Sequence, residues 1–137
     1  MGEGLRLMHT FFLTHYIDVL QNIFTFAPSI FSQNQMNAPI FENICRLKRQ
    51  LLPNDRLILF GSQARGDARP DSDWDLLLLL DKPKKEESDK DKAYQFVMMG
   101  WDYGTDMNVK IYTHEQWEKG KSFPFYKNVE REGIEIK

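Results

Sequence analysis

Two short apolar runs are the clearest feature of the hydrophobic pattern along the chain. The first covers residues 57–60, and the second is a run of five leucines at residues 76–80. Runs this short, with no polar residue inside them, are typical of strands that are buried on both faces of a sheet. Side chains at the ends of such strands are held in fixed positions, so the polar, glycine-containing connection between the runs is where chemistry is expected.

The residues before the first run predict a helix. Its apolar positions recur at helical spacing: Ile40, Ile44, Leu47 and Leu51. Asn37 is a candidate cap, and Pro39 is tolerated in a first helical turn. The turn formers at residues 53–55 end the helix before the first strand.

The residues after the leucine run predict a loop, a helix and a third strand. Residues 81–91 are charged residues and turn formers, which predicts a surface loop that leads into a helix ending at Tyr103 and Gly104. Apolar and polar residues then alternate over residues 107–112, which predicts a strand with one buried face.

The last part of the chain predicts two short helices and an edge strand. Thr113 and Gln116 have the spacing of a capping box, in which each side chain caps the backbone of the other. Residues 125–132 predict a further helical segment that Gly133 ends, and residues 134–136 predict a short edge strand.

Residues 1–35 do not continue this pattern. They are rich in phenylalanine but interrupted by histidine, aspartate, glutamine and asparagine. They are too polar for a membrane-spanning helix of about 20 apolar residues, and they lack the layout of a secretory signal. Either residues 10–26 form an amphipathic helix that docks on the domain or on a second copy, or the native start is Met36. We favour the second alternative, in which the domain covers residues 36–137.

Composition narrows the class of protein. A chain of 137 residues that is 42% hydrophobic can bury one core. The net charge of −2 provides no basic field that attracts nucleic acid, so a nucleic-acid partner is not expected. The single cysteine, Cys45, excludes an intrachain disulfide and lies in an apolar-periodic stretch, which predicts an inert buried thiol. These features predict a cytoplasmic protein.

Two aspartates precede the leucine run. Asp73 and Asp75 are two residues apart, so on an extended chain both carboxylates project from one face, and Trp74 projects from the other. Neighbouring carboxylates repel each other and need a cation. One alternative is a salt-bridged loop with Arg65 or Arg69. We favour a divalent metal, because oxygen ligands suit Mg²⁺ or Mn²⁺ together with substrate phosphates.

Gly61 and Ser62, at the end of the first strand, have a matching role. Glycine allows the backbone to come close to a phosphate. Ser62 can cap a short helix and offer its hydroxyl and amide to anionic oxygens. Phosphate donors that face metal ligands across one turn predict a nucleoside-triphosphate site.

These residues also resemble the signature of a known family. Gly61-Ser62, ten intervening residues and Asp73-x-Asp75 resemble the signature of the DNA polymerase β-like nucleotidyltransferase superfamily. The chain is similar to the minimal nucleotidyltransferases of bacteria and archaea from about residue 40 to its C-terminus. The fuller local pattern is matched at five further positions: Ala64, Arg65, Gly66, Ser72 and Leu76.

The resemblance implies an α/β (α+β) fold, with a small mixed sheet of three to four strands flanked by helices. It also implies transfer of a nucleoside monophosphate, AMP from ATP, to a hydroxyl acceptor. Asp73 and Asp75 would hold Mg²⁺ or Mn²⁺, and Gly61 and Ser62 would bind the outer phosphates. Arg65 would either add positive charge beside the phosphates or pair with the acids.

The family usually brings a third carboxylate from the third strand, and its position resembles Asn108 here. An asparagine can ligate a metal through its carbonyl, but it cannot accept a proton as a base. Asp106 lies two residues earlier on the same face, roughly 6–7 Å along the strand. A shifted register or a bulge would allow Asp106 to serve as the catalytic carboxylate and metal ligand, which is the alternative we favour. Otherwise Asn108 contacts the nucleotide and Asp106 is a surface residue.

The resemblance implies a protein partner as well. Small members of the family often act as antitoxins beside a helical ribonuclease toxin of the HEPN class, either by transferring AMP to a tyrosine of the partner or by masking it. The first hypothesis is therefore a protein adenylyltransferase, and the second is a weakened nucleotide-binding subunit that neutralises its partner by contact. A small-molecule transferase is disfavoured because the chain has no domain for an acceptor pocket.

Overall fold

The computed structural model describes residues 38–137. The two alternatives for residues 1–35 and the predicted cap at Asn37 lie outside the described residues. The helices are α1 (Ala38–Leu51), α2 (Ser62–Arg65), α3 (Glu87–Asp102), α4 (His114–Lys119) and α5 (Pro124–Glu132), and the strands are β1 (Arg56–Phe60), β2 (Trp74–Leu80), β3 (Met107–Thr113) and β4 (Ile134–Ile136).

The four strands form one mixed sheet in the order β3-β2-β1-β4. β1 pairs antiparallel with β2 and with β4, whereas β2 and β3 are parallel. The turn after β1 and the start of β2 therefore meet at the same end of the sheet. The predicted mixed sheet of three to four strands flanked by helices is confirmed.

Both faces of the central strands are buried, as the two apolar runs predict. Alternate residues of β1 and β2 pack with α1 and α3 on one face: Leu57, Leu59, Leu76, Leu78 and Leu80. The intervening residues pack with Trp117 of α4 and Val129 of α5 on the other face: Ile58, Phe60, Leu77 and Leu79. Burying one such side chain contributes about 1.5–3 kcal/mol, so this packing fixes the strand ends on which the polar residues lie.

The predicted loop over residues 81–91 is wrong in its second half, because α3 begins at Glu87. A capping box stabilises this start: the Glu86 side chain accepts from the Asp89 amide, and Asp89 Oδ2 accepts from the Glu86 amide at 2.7 Å. Asp89 is buried and forms a 2.7 Å ion pair with Lys82, while its other carboxylate oxygen has no partner among the described residues. Charged residues that appear to form a solvated run therefore include a buried helix cap.

The C-terminal elements agree with the sequence pattern. The Thr113 hydroxyl accepts from the Gln116 amide at 3.1 Å, and the Gln116 side chain accepts from the Thr113 amide at 3.0 Å, which confirms the predicted capping box at the start of α4. α5 ends before Gly133, and β4 forms a three-residue strand at the edge of the sheet. Among residues 38–137, no helix has the length and apolar character needed to cross a membrane.

Candidate functional site

The turn that follows β1 is built on Gly61. Its φ of 75° is a left-handed conformation that favours glycine, and it is the residue before α2. A Cβ atom placed on Gly61 would lie 2.5 Å from Oδ2 of Asp75. Only glycine therefore allows this backbone and the Asp75 carboxylate to come so close.

Ser62 is the first residue of α2, so the prediction that it caps this helix is wrong. Gly61 occupies the cap position, and no side chain caps the helix start. The carbonyl of Ser62 accepts hydrogen bonds from the amides of Gly66, at 3.0 Å, and Asp67, at 3.2 Å, which closes the turn. The Ser62 side chain is half-buried, and its hydroxyl forms no hydrogen bond with the described part of the chain. The hydroxyl is free to contact a ligand.

The two acids converge on one side chain of β3. Asp75 pairs with Phe60 of β1 on one side and with Asn108 of β3 on the other. Nδ2 of Asn108 donates to Oδ2 of Asp73 and to Oδ1 of Asp75, at 3.3 Å in each case. Trp74, between the two acids, is 1% exposed in the opposite core. The alternation read from the sequence thus holds at the acid pair.

Asn108, rather than Asp106, occupies the position beside the acids. The register of β2 and β3 is regular from Trp74 and Met107 onward, without a bulge that would move Asp106 into the place of Asn108. Asp106 lies one residue before β3 with an exposed side chain, and its carbonyl accepts from the Trp74 amide at 2.9 Å. Residues 38–137 contain no group of three carboxylate, histidine or cysteine side chains placed to hold a metal. The metal and catalytic roles of Asp106 stay predictions.

The donor set at this point fits a hard divalent cation. The Asn108 amide lies within hydrogen-bonding distance of both the Asp73 and the Asp75 carboxylate. Oxygen ligands that leave room for water and phosphate are what Mg²⁺ and Mn²⁺ prefer. Rotation of the Asn108 amide by half a turn exchanges Nδ2 for Oδ1 and gives a third oxygen ligand. The set can hold a cation without a third carboxylate.

Arg65 does not neutralise the acid pair. Its guanidinium pairs with Asp67 at 3.3 Å and with Glu132, at the end of α5, at 3.2 Å. The hydrogen bond to Asp67 is the main cause that raises the pKa of Arg65. Among the ion pairs of residues 38–137, none joins Asp73 or Asp75 to an arginine, so the salt-bridged alternative is not the arrangement observed. The role of Arg65 toward a nucleotide stays a prediction.

Gln63 is a residue that the sequence reasoning did not identify. It is 4% exposed, and its side-chain amide donates to the Ser72 carbonyl at 3.2 Å, one residue before Asp73. The Ser72 hydroxyl in turn accepts from the Arg69 amide at 2.8 Å. These bonds hold the connection between α2 and β2, and so position Asp73. The only feature of the sequence that could have identified Gln63 is its position inside the matched signature, because a single glutamine does not by itself indicate a functional role.

A mixed sheet with a glycine–serine turn at the end of β1, facing an acid pair at the start of β2, is the arrangement that the resemblance to nucleotidyltransferases implies. The family model described as "Nucleotidyltransferase domain" matches residues 41–135, and the chain belongs to this family. A solved structure described as "Crystal structure of the toxin-antitoxin with AMP-PNP" is 18% identical, with a TM-score of 0.49, over 71% of this chain and 72% of that chain. The chain has no match among curated protein sequences.

Proposed function

We propose that the protein is a metal-dependent nucleotidyltransferase that transfers AMP from ATP to a hydroxyl group of a protein partner. The observation that carries the proposal is the convergence of Asp73 and Asp75 on Asn108, next to the turn at Gly61. Within residues 38–137, neither carboxylate is paired with a cationic side chain, and two carboxylates that converge on one amide repel each other. A bound nucleotide with its divalent ion would relieve that repulsion.

Each residue of the site has a distinct role in the proposed reaction. Asp73, Asp75 and the rotated Asn108 amide would hold Mg²⁺ or Mn²⁺. Gly61 allows close approach of the nucleotide to the backbone, and the Ser62 hydroxyl donates to an outer phosphate oxygen. The bound ion supplies neutralisation of the phosphate charge and a lower pKa for the acceptor hydroxyl.

The chemistry is an in-line displacement at the α-phosphorus. The acceptor oxygen forms a bond to the α-phosphorus, the bond from the α-phosphorus to the oxygen that bridges it to the β-phosphate breaks, and pyrophosphate leaves. The resemblance implies a carboxylate from the third strand as the acceptor of the hydroxyl proton, and we propose that Asp106, exposed one residue before β3, takes that role although Asn108 occupies the position beside the acids. Positioning and charge neutralisation supply most of the rate enhancement.

We further propose that the acceptor lies on a helical, HEPN-type protein encoded beside this chain. The support is the resemblance of residues 61–76 to the minimal nucleotidyltransferases, together with the small size of the described domain. Residues 38–137 form a single sheet with its helices. A partner protein would supply the acceptor.

A second function is favoured by one specific observation, which is that Asn108 stands where a basic carboxylate is expected. An asparagine cannot take the proton of the acceptor. In this alternative the protein binds nucleotide, transfers poorly, and neutralises its partner by direct contact.

Incubation of the protein with Mg²⁺, labelled ATP and the product of the neighbouring gene separates the two functions. Transfer of label to the partner supports the enzymatic function if the Asp73→Ala variant no longer shows it. Asp71→Ala is the matched control, because Asp71 is an exposed aspartate of the same connection. A tight complex without label supports the binding subunit. In that case Asn108→Asp should raise transfer, because it supplies the missing base.

Failure of both label transfer and ATP binding would refute the site itself. Calorimetry with ATP and Mg²⁺ on the wild-type protein measures the ATP binding independently of any partner.

A further inference from the structure

The face of the sheet that carries the acid pair also carries a lysine. In the parallel register of β2 and β3, Asn108 lies beside Asp75, and Lys110 lies beside Leu77, two residues further along both strands. Residues two apart on a strand point to the same face, roughly 6–7 Å from each other. Lys110 therefore stands on the same face as Asn108 and next to it.

The Lys110 side chain is exposed and positioned by an aromatic ring. Its Nζ lies 5.8 Å from the centroid of the Phe125 ring, within the range of a cation–π contact. Phe125 packs edge-on against Phe60, with 5.4 Å between ring centroids, and Phe60 is the residue that precedes Gly61 and pairs with Asp75. The Phe125 ring thus contacts both the Lys110 ammonium group and the end of β1 that leads into the turn at Gly61.

Lys110 is also a cation without an acidic partner. None of the ion pairs formed within residues 38–137 includes it. Arg65, the cation of the matched signature, is held by two carboxylates, Asp67 and Glu132. Arg65 would have to leave both of them to reach a phosphate, whereas Lys110 would have to leave only a ring contact.

We propose that Lys110 is a phosphate-binding residue of this site, and that its ammonium group pairs with the triphosphate of the bound nucleotide. This inference rests on the proposed function. A triphosphate beside Asp73 and Asp75 places negative charges against two carboxylates, and a bound metal ion offsets only part of that repulsion. A lysine binds phosphate as a compact point charge and needs no fixed fork geometry. Lys110 supplies that charge from the strand that carries Asn108.

Calorimetric titration with ATP, ADP and AMP, each with Mg²⁺, tests the proposal on the full chain. Lys110→Gln should weaken ATP binding roughly tenfold or more, since it removes a charge-assisted contact, and should weaken AMP binding less. Lys110→Arg should restore most of the affinity. The ATP defect should shrink as salt concentration rises, because exposed charges are screened.

Two matched variants control for charge and for packing. Lys84→Gln makes the same change of charge at an exposed lysine beyond the opposite end of β2, and should leave ATP affinity unchanged. Lys110→Met keeps an unbranched side chain over Phe125 but removes the charge, so it should lose as much ATP affinity as Lys110→Gln. Thermal unfolding of each variant shows that the fold is retained.

The outcomes separate this inference from the proposed function. If the wild-type protein binds none of the nucleotides, the proposed function fails, and this inference with it. If the wild type binds ATP and Lys110→Gln binds it equally well, only this inference is overturned. Equal weakening of ATP, ADP and AMP would also overturn it, because the effect would not depend on the outer phosphates.

Discussion

Replacement of Gly61 by alanine tests the geometry on which the site depends. Gly61 has a φ of 75°, and a Cβ atom on it would lie 2.5 Å from Oδ2 of Asp75. Ordinary contact begins at 3.4 Å, so the carboxylate oxygen would have to move by about 0.9 Å (3.4 minus 2.5). The other oxygen of this carboxylate, Oδ1, accepts the hydrogen bond from Asn108 at 3.3 Å, so a rotation that moves Oδ2 also moves Oδ1 and weakens this long bond.

The expected cost has two parts. At Gly61 the φ of 75° is combined with a ψ of −156°, a region that only glycine adopts readily, so a residue with a Cβ atom costs about 1–3 kcal/mol there. Weakening of the Asn108 hydrogen bond adds about 1 kcal/mol. Gly61→Ala should therefore lower the free energy of unfolding by about 2–4 kcal/mol and should weaken binding of ATP with Mg²⁺, because Asp75 no longer faces Asp73 correctly.

Gly104→Ala is the matched control. Gly104 has a φ of 71°, yet a Cβ atom on it would meet nothing within 4 Å. This variant should lose only the backbone part, about 1–2 kcal/mol, and should bind ATP as the wild type does. Urea unfolding and calorimetric titration of both variants give the comparison. Equal losses of stability together with unchanged ATP binding in Gly61→Ala would refute the claim that close approach to Asp75 requires glycine.

Three further predictions concern the rest of the domain. Burial raises the pKa of Asp89, but hydrogen bonds from Lys82 and from a backbone amide outweigh it and hold that pKa below its usual value. The stabilisation of the fold by ionised Asp89 is therefore complete above the pKa of this residue in the unfolded chain, and it is lost as the pH falls through its lower pKa in the folded protein. Asp89→Asn should cost about 1–3 kcal/mol at pH 7, and urea unfolding near pH 3 should give a smaller difference from wild type; an equal difference would contradict this. Burial also raises the pKa of the Cys45 thiol. At pH 8, Cys45 should therefore react with a disulfide reagent far more slowly in the native protein than in urea. Equal reaction rates would show that the thiol is exposed. Gly133→Ala would place a Cβ atom 2.7 Å from Ile58, so it should cost about 1–3 kcal/mol in urea unfolding, and a loss below 0.5 kcal/mol would show that β4 can shift without cost.

The sequence predicted the central strands and several helix ends, because these depend on local pattern. A strand with an uninterrupted apolar run such as residues 76–80 can bury all of its side chains only if both faces of the sheet are covered. The capping box of Thr113 and Gln116 forms within one helical turn, so it is visible at a spacing of three residues. The matched signature also placed Gly61 and Asp75 in one site, since both lie on the ends of paired strands.

The start of α3 was mispredicted because it depends on a buried ion pair. A run of charged residues is usually solvated, and nothing local distinguishes Asp89 from the aspartates around it. Lys82 approaches Asp89 only after the chain has turned at the end of β2, and that contact compensates the burial of the carboxylate.

The amino-acid sequence alone predicted which residues form the candidate site, namely the glycine–serine turn and the two aspartates at the start of β2, because strand alternation fixes the face on which neighbouring side chains lie. The tertiary structure alone decided what stands beside them. Asn108 rather than Asp106 lies beside the acids because the register of the parallel strands depends on where α3 returns the chain to the sheet. That register cannot be read from any one segment of the sequence. Arg65 pairs with Glu132, which is distant in the sequence, because α5 packs on one face of the same sheet. Local pattern therefore predicted the candidate site residues, and long-range packing determined which side chains lie beside them.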